Sequence, residues 1–194
     1  MKFLITGLGN PGEEYKNTRH NIGFEAVDAL AADAGAVFKT ERYGDVVKIK
    51  HRGKILVLLK PSTYMNLSGK AVRYWLEKEN IPIEKFLVIA DDIALPTGML
   101  RMKKKGSDGG HNGIADIIRI LSTSNFNRLR IGVGNSFSKG KQVDYVLGRW
   151  TTEEEEVLAP KIQKVVDMVK SFVVIGADRT MNFFNEKAAK KEKE

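Results

Sequence analysis

The sequence predicts a single α/β domain, a central mixed β-sheet flanked by helices, on three observations. Short apolar, β-branched runs alternate with segments of helical spacing. No internal repeat and no Pro/Ser-rich linker interrupts that alternation. At 194 residues the chain has the length of one domain with a sizeable core.

The elements follow in order. Lys2–Gly7 is a buried-strand pattern closed by Gly7, Gly9 and Pro11-Gly12. After Thr18-Arg19-His20-Asn21, apolar residues at Ile22, Ala26, Val27, Leu30, Ala31 and Ala34 keep helical spacing up to Gly35. Val46–Ile49 and Ile55–Leu59 flank Lys50-His51-Arg52-Gly53-Lys54, a hairpin signal. Met65–Asn80 is a second helix, stopped before Pro82, and Phe86–Ala90 a second buried strand. Met99–Lys103 is a strand with Met inward and basic residues outward. His111–Leu121 carries the apolar stripe Ile114, Ile117, Ile118 and Leu121, and Leu129–Val133 is a strand ended by Gly134. Thr152 before Glu153–Glu156 starts a helix, since acidic side chains suit the positive end of the helix dipole. That helix is expected to reach Val174 with a bend at Pro160. A last helix from about Asp178 frays into a charged tail. We expect one domain over 1–185, a lid within the polar, Gly-containing stretch 135–150, and a tail over 186–194.

Composition narrows the function classes. The chain has no cysteine, which removes disulfides, a thiolate nucleophile, Cys-bound zinc and iron–sulfur clusters. No run approaches the ~18 apolar residues of a membrane span, and the first apolar run is too short for a signal-peptide core. A soluble, cytoplasmic protein is expected. The net charge is +8, from 32 Lys+Arg against 24 Asp+Glu. Arg101–Lys105 contributes +4 of it, whereas the four Lys and three Glu of the tail contribute +1. So local a patch fits a phosphate backbone; the competing reading is an edge strand kept from aggregating by charge.

Gly7-Leu8-Gly9-Asn10-Pro11-Gly12 matches the G-x-G-x-x-G dinucleotide pattern after a strand. Its context does not. Pro11–Tyr15 reads as an extended turn rather than a helix start, and the next strand runs into Lys50-His51 rather than an acid. What remains is a turn presenting Asn10, with His20 near the following helix start. Lys60–Gly69, Asp91–Pro96 and Gly106–Gly113 also follow strands and carry Asn66, Asp91, His111 and Asn112. Four strand ends thus converge on the rim where α/β proteins build their sites. A neutral imidazole takes a proton from water, a carboxylate fixes its tautomer, and amides donate to a developing oxyanion. One histidine alone is more often a capped or surface residue, and His51 in its turn is expected to be solvated. There is no G-x-S-x-G and no H-E-x-x-H, and three scattered His make a poor metal set. Water attack assisted by histidine and amides is the surviving chemistry. Alternation around Met102 puts Arg101, Lys103 and Lys105 on one face leading to this rim; Arg128 and Arg130 alternate likewise.

The stretches GLGNPGEEYKNTRHNIGF at 7–24, KPSTYMNLSGKAV at 60–72, DDIALPTG at 91–98, GSDGGHNGIADI at 106–117, FNRLRIGVG at 126–134 and DYVLGRW at 144–150 together resemble the bacterial peptidyl-tRNA hydrolase family over most of the chain. The resemblance implies hydrolysis of the ester between a peptide and the 3′ end of tRNA, by a monomer without metal or cofactor. It implies His20 as base and Asp91 as the acid that orients it, with Asn10, Asn66 and Asn112 binding substrate or stabilising the reaction. It places Tyr15, Met65 and His111 in the same cleft, Lys103 in a clamp for tRNA phosphate, and Arg101, Lys105 and Arg130 as weaker members of that clamp. Ala94 departs from the family pattern, which commonly has a second acid there. Three rivals are a non-catalytic tRNA-binding module, a nucleotide-dependent oxidoreductase built on the Gly motif, and a small-ester hydrolase with no RNA partner.

Overall fold

The computed structural model describes residues 1–185; the tail expected over 186–194 lies outside the described residues. Its strands are β1 (Lys2–Gly7), β2 (Lys39–Glu41), β3 (Gly44–His51), β4 (Lys54–Pro61), β5 (Phe86–Asp92), β6 (Leu100–Lys103) and β7 (Asn127–Gly132). They make one sheet in the order β2-β3-β4-β1-β5-β7-β6. The inner strands β4, β1, β5 and β7 run parallel, while β2, β3 and β6 pair antiparallel at the two edges. The predicted mixed sheet is present.

Its helices are α1 (Ile22–Asp33), α2 (Ser68–Lys78), α3 (Asn112–Leu121), α4 (Gln142–Val146), α5 (Thr152–Ile175) and α6 (Ala177–Phe184). Successive strand residues point to opposite faces. Phe3, Ile5, Leu87, Ile89, Leu129 and Ile131 pack with α1 and α5. Leu4, Val57, Leu59, Val88 and Ala90 pack with α2 and α3. Because both faces are covered, β1 and β5 read as unbroken apolar runs rather than as alternation. Each fully buried Leu or Ile contributes ~1.5–3 kcal/mol.

Several boundaries differ from the sequence reading. β2 was not expected, because its three residues are exposed and carry no apolar pattern. Met65–Leu67 is a 3-10 turn, so α2 starts at Ser68, and it ends at Lys78. His111 and Thr151 each sit one residue outside a helix as its cap. Thr151 accepts from Glu154 N while the Glu154 carboxylate accepts from Thr151 N, a reciprocal capping box. α5 continues across Pro160 to Ile175. The stretch 135–150 is not wholly irregular, since it contains α4.

The largest correction concerns the basic segment. β6 runs against β7, with Leu100 opposite Ile131 and Lys103 opposite Arg128. It therefore leads away from the rim at which β5 and β7 end, and residues 104–111 must return. Asn185 closes this edge: its Oδ1 accepts from Met102 N at 2.7 Å and its Nδ2 donates to Met102 O at 3.0 Å, a side chain completing the ladder.

The Gly-rich turn serves packing. A methyl group on Gly7 would collide with Gly23 O, and one on Gly23 with the Leu8 backbone and Ile89 O. Two glycines in contact let α1 lie directly on the end of β1, which brings His20 beside Asn10. No helix opens after Gly12; a 3-10 turn, Glu13–Tyr15, follows instead. The geometry a dinucleotide pyrophosphate needs, a helix N-terminus directly after the glycines, is therefore missing at this turn.

Candidate active site

The ends of β1, β4 and β5 and the start of α3 surround a cavity of about 500 Å3 whose lining includes Asn10, His20, Met65, Asn66, Asp91, His111 and Asn112. At its floor Asp91 is buried, 5% exposed. His20 Nδ1 lies 2.9 Å from each Asp91 carboxylate oxygen, and His111 Nε2 lies 2.9 Å from Oδ1.

The proton positions follow from the partners. His111 Nδ1 accepts from Gly113 N at 3.1 Å and Ile114 N at 3.3 Å, capping α3. Its ring proton is therefore on Nε2 and is donated to Asp91. A carboxylate only accepts, so His20 donates through Nδ1 and its Nε2 keeps a lone pair. His111 has none left. Burial alone would raise the Asp91 carboxyl, but the His111 and His20 imidazoles outweigh it and hold the group well below the usual carboxylate range. The sequence made the histidines look scattered; two of the three instead meet here, with ligand-type atoms of His20, Asp91 and His111 within 4.8 Å of one another. Both imidazoles spend a hydrogen bond on the carboxylate.

Asn10 is fixed by its own amide. Its N donates to Asn21 Oδ1 at 2.8 Å, Asn21 Nδ2 donates to Asn10 O at 2.9 Å, and Met65 N donates to Asn10 Oδ1 at 2.8 Å. With Oδ1 committed as acceptor, Nδ2 is the donor left for the cavity. Asn66 and Asn112 are exposed in the same cavity. Asp116, which sequence reasoning passed over, holds their elements together: its Oδ2 accepts from Gly69 N at 2.8 Å, joining α3 to the start of α2. Tyr15 does not line the cavity, because the 3-10 turn after Gly12 carries it away from the rim.

The basic residues divide. Lys103, Arg128 and Arg130 line the cavity, whereas Arg101 and Lys105 do not. Arg101 stands on the outermost strand opposite Arg130, and Lys105 lies beyond the end of β6. Arg130, then burial, then Arg101 push the Lys103 ammonium below its ordinary value, the signature of crowded like charge. Arg130 is ion-paired with Asp92. Arg128 is buried and donates to Ser107 O at 2.7 Å and Ser124 O at 3.0 Å, fastening the returning loop.

Arg19, next to His20, ties down the 135–150 stretch. It pairs with Glu154 at 2.6 Å, donates to Tyr145 O at 3.1 Å, and stacks 4.3 Å over the Tyr145 ring. Its backbone N donates to Gly148 O, and Thr18 bridges Arg149. No sequence signal links Arg19 to Glu154, 135 positions further along the chain.

The peptidyl-tRNA hydrolase family model matches residues 4–193. A peptidyl-tRNA hydrolase of Phocaeicola vulgatus is 54% identical over 187 residues, covering 96% of this chain and all of the relative. One of Porphyromonas gingivalis is 55% identical over 185 residues, covering 95% of this chain and all of the relative. The crystal structure of peptidyl-tRNA hydrolase from Acinetobacter baumannii superposes with a TM-score of 0.89 at 37% identity, covering 94% of each chain. With the histidine–aspartate–asparagine rim built on that fold, the chain belongs to the peptidyl-tRNA hydrolase family.

Proposed function

We propose that the chain hydrolyses the ester joining a peptide, or an N-blocked aminoacyl group, to the 3′ end of tRNA. The observation that carries this is the asymmetric pair of histidines on Asp91: His20 keeps a free Nε2 facing the cavity, while His111 is fully committed. His20 Nε2 takes a proton from water, and the hydroxide formed attacks the ester carbonyl. Asp91 holds the ring's tautomer and supports the imidazolium as it forms. Asn10 Nδ2, with Asn66 and Asn112, receives the oxyanion or the peptide backbone. His20 then returns the proton to the departing ribose oxygen. Lys103 and Arg130 take the phosphate of the acceptor end, with Arg101 and Lys105 outside the cavity as weaker contacts. The 135–150 stretch forms the lid beside the peptide, on a catalytic domain spanning 1–185. The protein works as a cytoplasmic monomer without metal or organic cofactor; among the described residues no helix is long and apolar enough to cross a membrane.

Family membership favours the enzyme over a non-catalytic tRNA-binding module. The test is release of tRNA from an N-blocked aminoacyl-tRNA, beside the unblocked ester, by wild type and His20→Ala. Cleavage of the blocked ester, lost in the variant, is expected. RNA binding without cleavage by wild type would overturn the proposal. Equal cleavage of simple esters lacking tRNA would favour a small-ester hydrolase instead.

A further inference from the structure

A second basic cluster sits on the opposite edge of the sheet from Lys103 and Arg130. Arg42, Tyr43, Lys70, Arg73, Tyr74 and Glu77 line a shallow cavity of about 150 Å3 between the β2–β3 turn and α2. The Arg42 guanidinium lies 5.0 Å from the Tyr43 ring centre and 5.2 Å from that of Tyr74, and it donates to the Tyr43 hydroxyl at 3.4 Å. Lys70 Nζ lies 5.7 Å from the Tyr43 ring. The two tyrosines pack edge to face at 5.3 Å.

Three features ask for a ligand. Arg42, Lys70 and Arg73 are exposed, and none forms an ion pair among the described residues. Arg42, first through its hydrogen bond and then its charge, and Lys70 and Arg73 after it, together lower the Tyr43 hydroxyl; one carboxylate, Glu77, offsets three cations. Tyr43 itself has φ +66° in a two-residue hairpin turn, where Asn or Gly is the ordinary choice. The strained turn fixes the Tyr43 ring among three exposed cations whose charge an anion would balance.

The cluster is continuous with the catalytic rim. Gly44 pairs with Pro61 at the end of β4, and Ser62 N donates to Tyr43 O at 2.9 Å. Two residues on, Tyr64 lines the catalytic cavity, and Lys70 follows Asn66 by four positions. From β3 to β6 is five strand spacings, about 24 Å.

We propose that Arg42, Tyr43, Lys70, Arg73 and Tyr74 form a second RNA contact, holding a phosphodiester of the substrate tRNA on the cations against the tyrosine edges. This rests on the hydrolase reading above. Cations interleaved with aromatics suit an RNA strand, whose phosphates supply the missing charge and whose bases meet the rings. An acidic peptide would use the cations and leave the rings idle.

The test compares wild type with Arg42→Ala/Lys70→Ala/Arg73→Ala, and with Lys70→Ala/Arg73→Ala, which leaves the hairpin turn untouched. Lys50→Ala/Arg52→Ala/Lys54→Ala removes three charges at the far end of the sheet as the control. The readouts are affinity for deacylated tRNA across salt concentrations, and KM for N-blocked aminoacyl-tRNA against the same ester on the 3′-terminal trinucleotide. The cluster variants should reduce the salt slope by about 0.7–0.9 and erase much of the advantage of full-length tRNA over the trinucleotide; the control should keep both. Cluster and control variants behaving alike would overturn the proposal. So would loss confined to esters of acidic peptides, or protection of the cluster by inorganic phosphate with no change in tRNA affinity. Wild type failing to cleave the blocked ester would instead sink the parent reading.

Discussion

His20 and His111 stand 4.8 Å apart, ring centre to ring centre, on one carboxylate, and only His20 has a nitrogen left for chemistry. The difference is made by two backbone N–H groups of α3, which occupy the second nitrogen of His111. The first turn of a helix thus decides which imidazole keeps a nitrogen free for the role of base proposed above.

Asp91→Asn replaces an acceptor of two hydrogen bonds by a group that must also donate. It should lower kcat by about 10²–10⁴ with little change in KM. His111→Asn keeps a side chain that caps α3 and should lower kcat less than Asp91→Asn does. Steady-state kinetics of both variants check this; an unchanged kcat in Asp91→Asn would remove Asp91 from its role.

Asn10→Asp retains the oxygen that Met65 N needs and replaces the Nδ2 donor by a charged acceptor. A loss of about 10²–10³ in kcat is expected if this amide receives the oxyanion. Asn66→Ala run beside it identifies which of the two carries that role, since the larger kcat loss marks the donor.

Lys103→Ala should weaken tRNA binding and flatten its salt dependence by about 0.7–0.9 in log–log slope, the effect of one phosphate contact. Arg101→Ala, outside the cavity, should do less. Binding isotherms at several salt concentrations decide it, and an unaltered slope would take Lys103 out of the clamp.

Glu25 gives a pH-dependent stability. Burial pushes its carboxyl up to about 7, reinforced by the charges of Asp28 and Glu155. Oε1 of Glu25 and Nε1 of Trp150 are both buried without a hydrogen-bond partner among the described residues. A carboxyl raised on folding stabilises most below its unfolded pKa of ~4.3, and this contribution fades as pH rises to about 7. The shift corresponds to at most roughly 3–4 kcal/mol. Glu25→Gln should therefore be the more stable protein at pH 8 and lose that advantage near pH 4.5. Urea unfolding of both proteins at the two pH values measures the difference.

Arg19 and Glu154 form a nearly buried pair. Removing either partner alone, as in Arg19→Met or Glu154→Gln, should destabilise by about 3–5 kcal/mol, and the double variant by less than the sum. Because the pair anchors the 135–150 stretch, KM for long peptidyl esters should rise more than KM for a blocked single residue. Additive losses in a double-mutant cycle would show that the two side chains act independently.

Much of this was legible in the sequence because local rules apply locally. The β1 and β5 runs, the α1 spacing, the hairpin and the acidic start of α5 each announce themselves within a dozen residues. His20, Asp91, Asn10, Asn66, His111 and Asn112 could be placed near one rim because each follows a strand or opens a helix, and all six line one cavity. Strand direction at an edge was not legible: nothing in Leu100–Lys103 reveals that it runs against β7, so that Lys103 reaches the cavity while the chain itself runs away from the rim. Long-range polar pairs such as Arg19–Glu154 and Asp116–Gly69 leave no periodic trace, and the exit direction of the turn that keeps Tyr15 off the cavity lining depends on φ values such as the +115° of Gly12.

The reversed edge strand has a mechanical consequence. Lys103 and His111 are the two ends of one short strap, and Arg128 is the rivet at its middle, through Ser107. The residue proposed to grip RNA and the imidazole that braces Asp91 thus share one short loop, fastened between them by Arg128. Loosening that rivet, rather than altering either end, is the change that would free the phosphate-facing lysine from the histidine side of the loop.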